Sequence, residues 1–206
     1  MEATVRAAGP VRRYSAVAVL LHWASALGVL ALIGMGLTMT HAGLTPMRQF
    51  QLYQWHKSVG ITVLALTGLR LAWRLTHRPP PYPAAMPARE RRTAAAAHGT
   101  FYGLLVALPL TGWAVVSLSP FNIPTVLYGL LPWPHLPLAA LVPDRSAAEG
   151  IVKLVHAYGA WLLTGLLVLH VAAALRHHLI LRDDVLARMM PGRAAPAPSK
   201  PAGTTR

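Results

Sequence analysis

Four long apolar runs dominate this chain of 206 residues, and no other feature limits its fold so tightly. They lie near 16–39, 52–75, 95–118 and 151–180. A helix of about 20 apolar residues crosses the ~30 Å hydrocarbon core of a bilayer. In lipid the backbone must satisfy its own hydrogen bonds, and a continuous apolar run does so as a helix. The expected fold is therefore an all-α membrane protein, a four-helix transmembrane bundle. Composition agrees: 54% of residues are apolar and 12% are charged, against about 25% charged in soluble proteins. A net charge of +13 would in a soluble chain point to nucleic acid. Here the basic residues flank apolar runs, so the expected partner is membrane lipid and not nucleic acid.

The placement of those basic residues orients the bundle. Fifteen of the 19 Lys and Arg residues lie in the N-terminal arm, at the link between the second and third runs, or toward the C-terminus. The other four, Arg48, Lys57, Arg145 and Lys153, are on the opposite side. Cytoplasmic loops carry the excess of Lys and Arg, so both termini are expected in the cytoplasm. The first run exceeds the ~7–15 apolar residues of a signal-peptide core, which favours a retained span. Residues 1–12 are expected to form a disordered basic arm, 13–192 the bundle, and 193–206 a disordered tail rich in Ala and Pro. The segment 78–87 is a short proline-rich link. The outer loop 119–150 is apolar and Trp-containing, as expected of a segment lying along the interface.

Function turns on histidine. His22, His56, His156 and His170 fall within the runs. His156 and His170 are fourteen residues apart, which returns within ~40° of the same helix face and separates them by ~21 Å. That distance is too long for one metal ion and suits two sites stacked across the membrane. By depth, His56 matches His156 and His22 matches His170. Each pair would join two helices, the way bundles build cofactor sites.

Facing imidazoles suit an iron porphyrin. The chain has no cysteine, which excludes disulfides, Cys-bound zinc, iron–sulfur clusters and covalent haem attachment. The haem expected is thus non-covalent, b-type. Gly60, one turn beyond His56, would let a flat macrocycle approach the backbone. Close helix packing explains Gly60, and Gly159 near His156, equally well. Arg70 lies fourteen residues after His56, on its face. It either pairs with the carboxylates of an inner haem or snorkels to the cytoplasm. A haem-free carrier is the alternative for intramembrane histidines. No carboxylate lies within the runs, however, and a proton-driven carrier normally needs one.

RYSAVAVLLHW (13–23), WHKSVGITVLALTGLRLAWRL (55–75), HGTFYGLLVALPLTG (98–112) and LVHAYGAWLLTGLLVLHVAAALRHHLILRDDVLARMMPG (154–192) together resemble the bacterial cytochrome b561 family of the inner membrane. The resemblance spans residues 13–192. It implies four transmembrane helices and two haem b groups, with His22 and His170 as iron ligands on the cytoplasmic side and His56 and His156 on the periplasmic side. It further implies electron transfer between a donor and the ubiquinone pool. Some members are superoxide oxidases, and related di-haem proteins anchor hydrogenases or other dehydrogenases. The expectation is a superoxide:ubiquinone oxidoreductase, with a cytochrome b subunit serving a dehydrogenase or periplasmic redox partner as the alternative. Lys57, Arg48, Arg145 and Lys153 could attract an anion from outside, or be ordinary interface charges. His98, His177 and His178 could line a quinone pocket, or simply pack at the interface.

Overall fold

Each apolar run is a helix, and each helix starts where a cap or a proline permits. The computed structural model describes residues 13–83 and 86–192. The arm 1–12 and the tail 193–206 lie outside the described residues. Helix α1 spans Ala16–His41, and its N-cap Ser15 accepts a hydrogen bond from the Ala18 N–H. Helix α2 spans Pro46–Thr76, with proline in its first turn, where the missing N–H costs nothing. Helix α3 spans Ala88–Leu118. Helix α4 spans Arg145–Leu175, capped by Asp144 and prolonged by a π-helical turn, Arg176–Leu181. All four are long and apolar enough to cross a membrane.

Three of these helices begin earlier than the apolar runs: α2 at Pro46 rather than 52, α3 at Ala88 rather than 95, α4 at Arg145 rather than 151. Hydropathy marks what sits in hydrocarbon, whereas caps mark where the backbone turns helical. The stretch ARERRTAAAA is polar at first yet rich in good helix formers.

Each helix packs mainly on its neighbour in sequence, α1 on α2, α2 on α3 and α3 on α4. The core takes one residue from each: Val29, Val63, Leu105 and Leu163. Outward side chains such as Leu20, Leu69 and Leu169 stay exposed, as a lipid-facing surface requires. Buried Ser25, Ser58, Thr67 and Ser117 donate to the carbonyl one turn earlier in their own helices, so none is left unpaired.

The loop 119–150 is more structured than expected. It folds into an antiparallel hairpin, β1 (Thr125–Leu127) paired with β2 (Leu131–Trp133). Tyr128 and Gly129 have φ of 53° and 73° and make the turn between them. Left-handed backbone costs a non-glycine residue roughly 1–2 kcal/mol. Tyr128 offsets that cost with three contacts on α2. Its N–H donates to Ser58 Oγ at 2.9 Å, its hydroxyl lies 2.6 Å from Thr62 Oγ1, and its ring meets Trp55 edge-on.

At the opposite end the chain's last described segment is bound to its first. Arg13 donates to the carbonyls of Ala187, Met190 and Gly192, and Trp23 Nε1 donates to Met189 O. Arg188 pairs with Asp184 and reaches Pro81 O. Burial would raise the Asp183 carboxyl, but hydrogen bonds from His177 and the Val185 N–H outweigh it and hold it below the usual range.

Gly28 sets how closely α1 and α2 approach. A Cβ there would stand 2.6 Å from Val63 Cγ2, whereas one at Gly34 would meet nothing within 4 Å. Gly28→Ala should therefore destabilise by about 1–3 kcal/mol, as overpacking does, while Gly34→Ala should not. Thermal unfolding in detergent reads the difference. Combining Gly28→Ala with Val63→Ala should cost less than the two changes add up to.

Candidate functional site

The bundle brings the four intramembrane histidines together as two pairs. His56 of α2 faces His156 of α4, with ring centroids 6.3 Å apart. His22 of α1 faces His170 of α4, with centroids 6.4 Å apart. Metal–imidazole bonds of ~2.0 Å, plus ~1 Å from nitrogen to ring centre, would place two opposed ligand rings ~6 Å apart. Both separations fit an iron held between them. His56 and His156 belong to the hairpin end of the bundle, and His22 and His170 to the end where the termini meet.

At the hairpin end the ligand-ready form is already set. His156 Nδ1 lies 3.0 Å from Leu108 O, and a carbonyl can only accept, so Nδ1 carries the proton. The Thr111 hydroxyl, 3.0 Å from the same nitrogen, braces the ring. Nε2 is left with its lone pair, and such a second hydrogen bond is how proteins orient a metal-binding histidine. Gly112 makes room, since a Cβ there would stand 3.1 Å from His156 Cε1. Gly36 of α1 flanks the other ring, 3.8 Å from His56 Cε1. His56 Nδ1 is buried without a hydrogen-bond partner, so no second bond fixes the tautomer of that ring.

The other end differs. Arg70 Nη2 lies 3.3 Å from His22 Nδ1 and must be the donor. His22 is therefore held in the opposite tautomer, and Arg70 would have to let go for Nε2 to become a ligand. Arg70 and Arg74 both lie over the Tyr102 ring, at 5.5 and 5.8 Å. His98 and Phe101 of α3 meet His170 edge-on, with centroids at 5.9 and 5.3 Å.

Other expected residues fall elsewhere. A Cβ on Gly60 would meet nothing within 4 Å, while one on Gly159 would meet Leu108 Cδ2 at 2.9 Å, so Gly159 serves helix packing. Arg145 is not a free outer charge. It donates to Leu118 O, Ser119 O and Asn122 Oδ1, closing the end of α3. Lys57 reaches toward Pro124 O. Gly36, Gly112 and Thr111 were missed, although one signal was present. Each helix repeats at fourteen residues: His22 with Gly36, His56 with Arg70, His98 with Gly112, His156 with His170. At each level the four positions face one another.

The sequence profile described as "Prokaryotic cytochrome b561" matches residues 13–192. "Cytochrome b561 homolog 2" of Escherichia coli (strain K12) is 31% identical over 179 residues, covering 86% of this chain and 91% of the relative. "Cytochrome b561 homolog 1" of the same organism is 30% identical over 138 residues, covering 67% and 74%. A Yersinia pestis protein named "Probable superoxide oxidase CybB" is 29% identical over 182 residues, covering 87% and 97%. Haem b is the group these cytochromes carry, and the two imidazole pairs fit it. The chain belongs to the prokaryotic cytochrome b561 family.

Proposed function

We propose that this chain is a di-haem superoxide:ubiquinone oxidoreductase of the bacterial inner membrane, with both termini cytoplasmic. The observation that carries the di-haem reading is the pair of imidazole pairs, matched in separation and stacked along α4, and the relative named a probable superoxide oxidase supports the donor. His56 and His156 would hold haem b on the periplasmic side, and His22 and His170 on the cytoplasmic side. Bound there, haem supplies one-electron redox chemistry.

The chain's own residues supply placement. The hydrogen bond from His156 to Leu108 O orients the ring and raises its basicity. Val29, Val63, Leu105 and Leu163 fill the bundle and keep water out of its centre. Lys57 and Arg48 provide the positive field that draws superoxide to the hairpin end. Two superoxide ions each lose one electron to become dioxygen, and ubiquinone takes two electrons and two protons. A groove of about 410 Å³ between α2 and α3 suits the quinone headgroup. Arg74, Tyr82, His98 and Tyr102 line it with polar atoms, and His98 also touches His170.

Three measurements test the reading. His56→Ala and His156→Ala should each retain one haem per chain where the parent protein has two, by pyridine haemochrome assay. Superoxide added to the purified protein should reduce haem within the mixing time and sustain turnover only when ubiquinone is present. Inertness to superoxide would point instead to a cytochrome subunit fed by a partner dehydrogenase. Alkaline phosphatase fused after Gly43 should be active, and fused after Gly192 inactive. The reverse pattern would invert the proposed orientation.

A further inference from the structure

Among the described residues, four buried side-chain nitrogen and oxygen atoms lack a hydrogen-bond partner: His56 Nδ1, Thr125 Oγ1, Trp133 Nε1 and His135 Nε2. Buried polar groups are nearly always paired, and leaving one unpaired costs about 1–3 kcal/mol. Here all four belong to the hairpin end. Three lie on the hairpin or two residues beyond it. Thr125 and Trp133 are directly paired across the ladder, so their side chains share one face. That face turns inward, since Thr125 is only 3% exposed.

The hairpin is fixed at the level of the His56–His156 pair. Gln54 bonds to Pro124 O and the Val126 N–H, and Ser58 to the Tyr128 N–H, on either side of His56 in sequence. Trp113 Nε1 donates to Pro134 O, and Ser117 Oγ accepts from the Leu136 N–H. Trp113 follows Gly112, which abuts His156.

The three unpaired groups of the hairpin can all donate at once, His135 as its Nε2–H tautomer. An indole N–H can only donate, and a threonine hydroxyl and an imidazole N–H can donate to the same acceptor. The Trp133 indole requires an acceptor, and one with several lone pairs would satisfy all three. A carboxylate has about four such sites. Arg145 binds the end of α3 and Lys57 reaches Pro124 O, and neither pairs with these three groups. The termini end, by contrast, has Arg70 and Arg74 beside its histidines.

We propose that Thr125, Trp133 and His135 form a neutral donor site for a carboxylate of the haem held by His56 and His156, so that the hairpin clamps that haem as well as covering it. This rests on the reading that a haem occupies that pair. It separates the two ends by chemistry, with neutral donors at one and arginines at the other.

The test uses the full-length holoprotein and the variants Thr125→Val, which keeps shape, and Trp133→Phe, which keeps an aromatic ring, each removing a donor. Tyr128→Phe is the control, because it removes the hairpin's contact with Thr62 Oγ1 on α2 and leaves the three donors in place. Haem loss to excess apomyoglobin is followed together with the carboxylate bending bands in the resonance Raman spectrum. Each donor variant should release one of the two haems about tenfold faster, equivalent to about 1.4 kcal/mol, and shift one set of bending bands. The second haem and the melting temperature should stay unchanged.

Unchanged release and bands would overturn the proposal and leave water as the acceptor. So would equal acceleration in Tyr128→Phe, which would make the effect structural. Unchanged release with a raised KM for superoxide would assign the donors to a free anion and also overturn it. A parent protein with one haem, unaffected by His56→Ala, would instead refute the underlying assignment of the pair.

Discussion

A helix returns to nearly the same face after fourteen residues, and every helix of this bundle depends on that interval. It places His156 and His170 on one line of α4. It sets His56 above Arg70, His22 in line with Gly36, and His98 in line with Gly112. The bundle is thus organised as two layers. Each layer has two imidazoles facing one another at about 6.3–6.4 Å between centroids. An imidazole in hydrocarbon is costly unless something takes its polar atoms. The chain repeats that cost at both levels, and a metal cofactor bound at each, as proposed, would offset it.

The two layers are not equivalent. At the hairpin end, a backbone carbonyl fixes the tautomer of His156 and a glycine admits its ring. This layer is organised in advance for a ligand at Nε2. At the termini end, Arg70 occupies Nδ1 of His22 and must move for the matching nitrogen to bind. The surroundings differ in the same sense. One layer is closed by a hairpin stapled to α2 and α3, the other by a C-terminal segment tied to Arg13, Trp23 and the α2–α3 link. Different closures give the two layers different polarity, and with a haem in each, as proposed, that would set their potentials apart.

Much of this was legible in the sequence. Four apolar runs of bilayer length dictated the bundle, and depth along those runs paired His22 with His170 and His56 with His156. Helix starts were less legible, because the prolines at 46 and 87 and the Asp144 cap act in polar sequence that hydropathy does not register. The hairpin was hidden for another reason. Its strands are three residues long, and its turn places Tyr128 in a conformation that only contacts on α2 make tolerable. Arg145 looked like a free surface charge because a cap formed by a side chain distant in sequence leaves no local pattern. Gly36 and Gly112 were visible in principle, through the same fourteen-residue interval that exposed the histidines.

The central claim is that each imidazole pair ligates one iron from both sides. Electron paramagnetic resonance of the fully oxidised holoprotein tests it most directly. The account predicts two low-spin ferric signals of equal intensity, together amounting to two irons per chain. A high-spin signal, or a single low-spin signal amounting to one iron per chain, would contradict it.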